Sequence, residues 1–306
     1  MRVAILANPY AGRGRTRALG ERIGLELDSL GLTTTFKWTT KPAEGIELAR
    51  SLAAVHDILC VIGGDGTVHE AVNGLMPHPI PLVVVPSGSG NDFAKLLPCP
   101  RTPMELLETL EAGMGAHLDV LDTGVRYCVN SLGLGFEALV TRHSRSIQRL
   151  GGVPLYLTAV FKALLTYDTP DLAIELPGGE RITGPRLMVS VGNGVCAGGG
   201  FYLTPNALPD DGRLELCIIE PLNRRRILRL LPRALNGSHT GRLGVDMRSV
   251  PSVRISSASP CHLHIDGEYL GEERWLLEIS ILKRSLPVLC RPDGRALLQA
   301  KRERII

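Results

Sequence analysis

The run Gly63-Gly64-Asp65-Gly66-Thr67-Val68-His69-Glu70 follows the apolar segment Ile58 to Ile62 and opens a helical pattern. Glycines at the end of a buried strand let backbone N–H groups approach a phosphate. A helix starting at Thr67 aims the positive end of its dipole at the same point. Val68, Ala71, Val72 and Leu75 recur at helical spacing. They should pack the helix on a sheet, with His69 and Glu70 on other faces and Asp65 at the mouth. A second segment repeats the logic: the apolar run Leu82 to Val85 leads into Pro86-Ser87-Gly88-Ser89-Gly90-Asn91-Asp92-Phe93. Neither segment carries the lysine that a GxxxxGKS/T phosphate loop requires, so a different nucleotide scheme is implied.

Transfer of a γ-phosphoryl group asks a protein for charge neutralisation, in-line positioning and a base for the incoming hydroxyl. Carboxylates, glycines and hydroxyls are the residues to look for. Asp266 and Glu268 flank Gly267 where a strand gives way to a turn. A carboxylate there, within reach of a hydroxyl, could accept its proton; an isolated Asp-Gly pair is otherwise an ordinary hairpin turn. Asp210-Asp211-Gly212 offers the hard oxygens that Mg²⁺ favours, in what could equally be a surface turn. Asn8-Pro9 follows a strand, where the asparagine can bridge the glycine turns and Gly12 permits close approach of backbone to phosphate. Thr39-Thr40 ends another strand, where hydroxyls serve a ligand or cap a helix.

Taken in order, these motifs resemble the diacylglycerol kinase catalytic domain in its bacterial lipid kinase form, related to the sphingosine kinases. The matches are Asn8 to Gly12, Gly63 to Leu75, Pro86 to Ala94, Asn130 to Glu137, Leu208 to Gly212, and Asp266 to Glu268. Two departures stand out: Ser89 replaces the usual threonine and keeps the hydroxyl, and Gly90 replaces a commonly bulkier residue. The resemblance implies an ATP- and Mg²⁺-dependent lipid kinase. It places the general base on Glu268 with Asp266 as its neighbour and Asp65 across the reaction. It puts nucleotide contacts at Asn8, Pro9, Gly12, Thr40, Gly63, Gly64, Asp65, Gly66, Thr67, Val68, His69, Ser89, Asn91 and Asp92. A structural Mg²⁺, apart from the ion that travels with ATP, would be held by Asp211 and the carbonyls of Leu208 and Arg213. Diacylglycerol is the first acceptor, with sphingoid bases and phosphatidylglycerol as alternatives.

These residues need two kinds of scaffold. From Met1 to about Leu121 strands alternate with helices: Val3 to Ala7, a helix through Leu19, Ile23 and Leu27, Thr33 to Trp38, a helix through Ile46, Leu48 and Leu52, then Ile58 to Ile62. Such alternation implies βαβ units and a largely parallel sheet, the nucleotide-binding α/β domain. Beyond Asp122 short alternating runs separated by glycine and proline take over, at Asp171 to Leu176, Arg186 to Val191, Leu214 to Ile219, Val253 to Ser256 and Trp275 to Ile281. They predict a β-rich antiparallel sandwich spanning residues 122–286, interrupted by a helix around Leu155 to Leu165. By the resemblance, the segment from about Pro287 to Ile306 returns to the first domain.

The chain has 306 residues, 44% hydrophobic and 21% charged, a composition of globular domains. Its apolar runs fall far short of the ~20 residues that span a bilayer, and the start lacks the pattern of a signal peptide. A cytoplasmic protein is expected. Seven cysteines without a CxxC pair predict buried thiols rather than disulfides or a zinc site. His262 and His264 share a strand face but lack further ligands at metal spacing. Trp38 and Trp275 read as packing residues. A net charge of +3 gives no footprint for nucleic acid.

Residues 223–234 form an amphipathic pattern. Arg225, Arg229 and Arg233 lie on one side, with Ile227, Leu228, Leu231 and Leu235 on another. It fits peripheral contact with an anionic inner membrane face or a helix resting on the β domain. A homodimer stays open. Two other classes stay open: an NAD kinase or phosphofructokinase type of small-molecule kinase, and a nucleotide sensor without turnover. The Pro86 to Ala94 segment and the late acids speak against the former, and retention of Asp65 and Glu268 against the latter.

Overall fold

In a computed structural model the chain is described over residues 1–147, 150 and 152–292. Its contacts divide it into two compact units, Met1–Val120 joined by the chain from Lys283, and Leu121–Leu282. The part of the expected returning segment beyond residue 292 lies outside the described residues.

The first unit is built from β1 (Val3–Ala7), α1 (Arg15–Ser29), β2 (Thr34–Trp38), α2 (Glu44–Ala53), β3 (Ile58–Gly63), α3 (Asp65–Leu75), β4 (Leu82–Pro86), α4 (Pro103–Ala112) and β5 (Gly115–Asp122). β1 pairs in parallel with β2 on one side and β3 on the other, and β3 pairs in parallel with β4. β1 and β3 are buried along their whole length, as strands covered on both faces must be. One face carries Val3, Ile5, Ile58, Cys60, Ile62, Val83 and Val85 against Ile23 and Leu27 of α1 and Leu106 and Leu110 of α4. Phe36 and Trp38 stack at 4.7 Å between ring centres and pack on this cluster, so Trp38 is a packing residue.

The second unit continues with β6 (Tyr127–Cys128), β7 (Ser131–Gly135), α5 (Phe136–Arg145), α6 (Gly152–Thr166), β8 (Asp171–Glu175), β9 (Arg181–Pro185), β10 (Met188–Gly192) and β11 (Leu214–Ile219). It ends with α7 (Arg224–Ala234), β12 (Val245–Val250), β13 (Ser252–Ser257), β14 (Cys261–Ile265), β15 (Glu268–Glu273) and the first part of β16 (Leu276–Leu289). A six-stranded antiparallel sheet runs β12-β11-β10-β7-β14-β15. A second sheet forms from β9, β8, β13 and residues Leu276 to Ser280 of β16. Leu132, Leu134, Val189, Val191, Leu216 and Leu263 of the first meet Leu172, Ile174, Val253, Ile255, Leu277 and Ile279 of the second in one core. That alternation of inward apolar residues makes a β sandwich.

The outer face of the six-stranded sheet is covered by helices, with Phe136 and Leu139 of α5, Val160 and Leu164 of α6 and Ile227 of α7 in a second cluster. The end of β16 belongs to the first unit, where Val288 and Leu289 pair in parallel with Leu82 and Val83 of β4. All seven cysteines are buried and unbonded to one another. Burial pushes the Cys60 thiol up to about 12. Among the described residues, no helix is long and apolar enough to cross a membrane.

Candidate active site

In the first unit three strand ends deliver the glycine-rich turns to one place. Parallel pairing aligns the carboxyl ends of β1, β3 and β4, with Ala7 opposite Ile62 and Gly63 opposite Pro86. The turns are then stitched together by backbone. Ser87 N–H donates to Gly63 C=O at 2.9 Å, and Asn8 N–H donates to Ile62 C=O at 3.1 Å. Gly12 sits at φ +58, and a Cβ there would lie 2.0 Å from the Ser87 carbonyl oxygen, so only glycine fits. A Cβ on Gly88 would come 2.5 Å from Gly64 Cα, so the two phosphate-type turns touch glycine to glycine.

Side chains fix these turns from within. Asp65, the first residue of α3, accepts the Phe93 N–H at 3.1 Å and so links the helix start to the second turn. Asn91, at φ 52, accepts from Gly88 N–H and donates to Gly88 C=O, both at 2.9 Å. Thr16 and Ser87 hydroxyls meet at 2.6 Å. Asp92 is buried and takes the Lys95 ammonium at 2.6 Å. Gly64 is the N-cap of α3, with extended backbone, so the helix begins among the turns with its N–H groups facing the same region.

The other expected contacts are placed as follows. Asn8 Oδ1 accepts the Tyr10 N–H at 3.0 Å, and Pro9 beside it is buried. Ser89 is exposed at the tip of its turn. Val68 and His69 are buried, His69 against Asn73, so at these positions only backbone could face a ligand. The expectation that His69 would leave the packed side of its helix is corrected, because α3 is buried almost all round. Glu70 has a separate task. Its two oxygens accept the N–H groups of Ala43 and Gly45 at 2.8 and 2.9 Å, capping α2. Thr40 gives both its N–H and its hydroxyl to Glu44 Oε2, at 2.6 and 2.9 Å. Those two bonds, the backbone one first, hold the Glu44 carboxyl below the usual range.

In the second unit Asp266 and Gly267 form a two-residue turn between β14 and β15, at φ 48 and φ 80, and Glu268 is the first residue of β15, opposite Ile265. This is the geometry of a mirror-type hairpin turn. The two acids diverge. Asp266 is buried, accepting the N–H groups of Val129, Asn130 and Ser131 at 3.0, 2.9 and 3.1 Å and the Cys128 thiol at 3.2 Å. Its carboxylate pins the turn to the start of β7. The same carboxylate helps to push the Cys128 thiol well up, second to burial. Glu268 is partly exposed and pairs with Arg145 of α5 at 2.8 Å. Asp65 and Glu268 belong to different units.

The expected Mg²⁺ ligands lie on the loop before β11. Asp211 Oδ1 accepts the Arg213 N–H at 2.8 Å, closing the turn, and Arg213 Nε donates to Ser249 Oγ at 2.8 Å. Glu215, in β11 opposite Ser249, has its pKa raised by burial and by the charge of Asp211, against an opposing bond from Ser249. Carboxylate and carbonyl oxygens are the donors a hard dication takes. Among the described residues no group of three or more His, Cys, Asp or Glu could hold a metal ion. His262 Nδ1 instead meets the Tyr269 hydroxyl at 2.8 Å.

The pairing of two residues near the turn escaped the sequence reading. Glu137 closes the Asn130 to Glu137 motif and His264 precedes Asp266 by two. Glu137 Oε1 and His264 Nε2 lie 3.0 Å apart, both nearly buried. Their pairing spans 127 positions, so spacing alone could not reveal it.

A parallel α/β unit that clusters glycine turns at strand ends, and a β sandwich that presents a paired acid on a hairpin, define a two-part phosphotransferase. The diacylglycerol kinase catalytic domain model matches residues 2–123, and the YegS C-terminal NAD kinase beta sandwich-like domain model matches residues 130–289. A diacylglycerol kinase of Staphylococcus saprophyticus is 29% identical over 275 residues, covering 89% of this chain and 90% of the relative. One from Staphylococcus aureus strain MRSA252 is 30% identical over 276 residues, covering 89% and 87%. The crystal structure of a putative diacylglycerol kinase from Bacillus anthracis superposes with a TM-score of 0.77 at 21% identity, covering 95% of this chain and 97% of that one, and shows the same fold. The chain belongs to the bacterial diacylglycerol kinase family and is a lipid kinase.

Proposed function

We propose that this kinase transfers the γ-phosphoryl group of ATP to the free hydroxyl of diacylglycerol, giving phosphatidic acid. The observation that carries this reading is the division of labour in the Asp266-Gly267-Glu268 turn. Asp266 spends its oxygens on backbone N–H groups. Glu268 keeps a carboxylate at the surface. A partly exposed carboxylate on a rigid turn suits a base that takes the proton of an incoming hydroxyl. The phosphate-binding part is the first unit, where the Gly12, Gly63 to Thr67 and Ser87 to Asn91 turns meet and N–H groups of α3 face an anion. Asp65 sits at that helix start, where a carboxylate can order the Mg²⁺ that accompanies ATP. Such an ion would supply charge neutralisation for the phosphoryl group, with Asp65 the residue to hold it.

A second Mg²⁺ is proposed on Asp211 with the carbonyls of Leu208 and Arg213. The Asp211 carboxylate is exposed on the turn that it closes onto the Arg213 N–H, where carboxylate and carbonyl oxygens of the kind a hard dication takes lie close in sequence. Peripheral contact with an anionic membrane is proposed through α7. Arg225, Arg229 and Arg233 are exposed there and no acid lies within the helix.

The test is transfer of labelled γ-phosphate from ATP and Mg²⁺ into mixed micelles of diacylglycerol, monoacylglycerol, ceramide, sphingosine or phosphatidylglycerol, with NAD and fructose 6-phosphate alongside. Label in diacylglycerol is expected. Label confined to another lipid reassigns the acceptor, and label confined to NAD or the sugar phosphate overturns the reading.

A further inference from the structure

We infer that Glu137 and His264 are positioning residues for the turn that carries Glu268, acting through the amide of Gly267. This rests on the reading of Glu268 as the base. The Gly267 N–H donates to His264 Nδ1 at 3.4 Å. A ring nitrogen that accepts must be unprotonated, so in the neutral imidazole the proton sits on Nε2. Nε2 lies 3.0 Å from Glu137 Oε1. The contact is off the line of a straight hydrogen bond, and neither atom has a hydrogen-bond partner among the described residues. Burying a carboxylate without compensation is costly, and the imidazole is the group that faces this one.

The site is built to hold the pair. Gly133 of β7 lies opposite His264 in the sheet. A Cβ on Gly133 would fall 2.3 Å from Glu137 Oε2 and 2.7 Å from His264 Nε2, so any side chain there would displace both. The same helix then reaches the turn twice. Glu137 stands in the first turn of α5 and meets His264, and Arg145 closes its last turn and meets Glu268 at 2.8 Å. The turn is therefore held at three consecutive residues: Asp266 by the amides before β7, Gly267 through His264, and Glu268 by Arg145. Only the middle hold depends on a buried ionisable pair. That pair fixes the imidazole's tautomer and plane, and the imidazole in turn fixes the peptide from which Glu268 departs.

Two substitutions separate the links. In His264→Asn the amide oxygen can stand near the place of Nδ1 and keep the Gly267 bond. In His264→Gln the amide nitrogen can stand near Nε2 and face Glu137, with nothing left at Nδ1. The full-length protein is assayed for kcat and for KM of ATP and of diacylglycerol in micelles, with hydrogen exchange at the Gly267 amide read in parallel. His264→Gln should lower kcat by about a hundredfold, the cost of a displacement near 1 Å at the reacting group. KM for ATP should stay within about twofold, because the ATP site is elsewhere. His264→Asn should recover most of kcat and keep the Gly267 amide protected. Glu137→Gln, isosteric and keeping an oxygen near Nε2 without the charge, should lie between wild type and Glu137→Leu.

Equal losses in His264→Asn and His264→Gln, or Gly267 protection unchanged in His264→Gln, overturn the inference. If the histidine variants do not fold, Glu137→Gln decides, since a kcat equal to that of Glu137→Leu also overturns it. The base assignment fails separately: it is Glu268→Gln turning over like wild type that removes it.

Discussion

Asp266 and Glu268 are two residues apart and chemically alike, yet the fold gives them opposite tasks. Asp266 turns inward because a residue at φ 48 followed by glycine at φ 80 reverses the chain and drops its side chain onto the amides of residues 129–131. Replacing it with asparagine sets an NH₂ group against those N–H donors. The expected cost is about 1–3 kcal/mol of stability, the penalty for buried donors left unpaired, read as a fall in Tm. Glu268→Gln should leave Tm near wild type and lower kcat by roughly 10²–10⁴, the usual worth of a general base. The sequence showed the turn, because an Asp-Gly pair between alternating runs has few other uses. It did not show that Asp266 is buried, because its partners lie 135 to 138 positions upstream. Glu215 offers a second test at this scale. Its folded pKa is raised, so its favourable contribution is present below the unfolded value and is lost as pH rises through the folded one. Glu215→Gln should therefore raise Tm at pH 7.5 without Mg²⁺ and lose that advantage near pH 4. If Mg²⁺ binds here, adding it should stabilise wild type more than the variant.

At the scale of elements the glycine turns are specified by contact with each other. Gly64 and Gly88 lie in separate βα turns, and each is small because the other is there. The Gly88→Ala methyl would be driven onto Gly64 Cα, and since both atoms belong to backbone the turns must separate. KM for ATP should rise by an order of magnitude or more while the fold persists, as happens when positioning groups shift by about 1 Å; unchanged KM would show that the turns do not set the phosphate geometry. Glycine-rich turns after apolar strands were legible in sequence, since few residues tolerate such approach. The role of Glu70 was not, because a helix cap supplied by another helix leaves no local pattern. Glu70 sits on α3 and closes the N-terminus of α2 through Ala43 and Gly45. Glu70→Ala should cost about 1 kcal/mol, typical of a lost cap with its favourable charge, measured by urea unfolding. A loss of nucleotide binding at unchanged stability would instead assign Glu70 to the ligand.

Over the whole molecule, sequence texture foretold both architectures, since a buried parallel sheet and a sandwich impose different periodicities on their strands. It placed the change between them near Leu121, and contacts divide the chain after Val120. The resemblance set the later boundary at about Pro287, whereas contacts set it at Lys283, inside β16, a single strand that no periodicity could divide. Texture also left the basic helix ambiguous, and the structure sharpens that question. α7 buries Ile227 and Ala234, while Leu228, expected on its apolar side, is 39% exposed beside the arginines. Leu228 sits at the border of the helical stripe, so burial of its neighbours turns it outward. Arg224 is drawn away to the Leu164 carbonyl at 2.7 Å, but Arg225, Arg229 and Arg233 face outward on a helix without acids. An anionic bilayer attracts such residues by about 1 kcal/mol each within a Debye length. Binding to phosphatidylglycerol-containing vesicles should fall on the order of a hundredfold in the triple Arg225/Arg229/Arg233→Gln variant. It should also weaken steeply with salt, while turnover on short-chain, water-soluble diacylglycerol stays near wild type. Equal binding by both proteins would instead mean that the arginines are solvated and that the kinase meets its lipid through another surface.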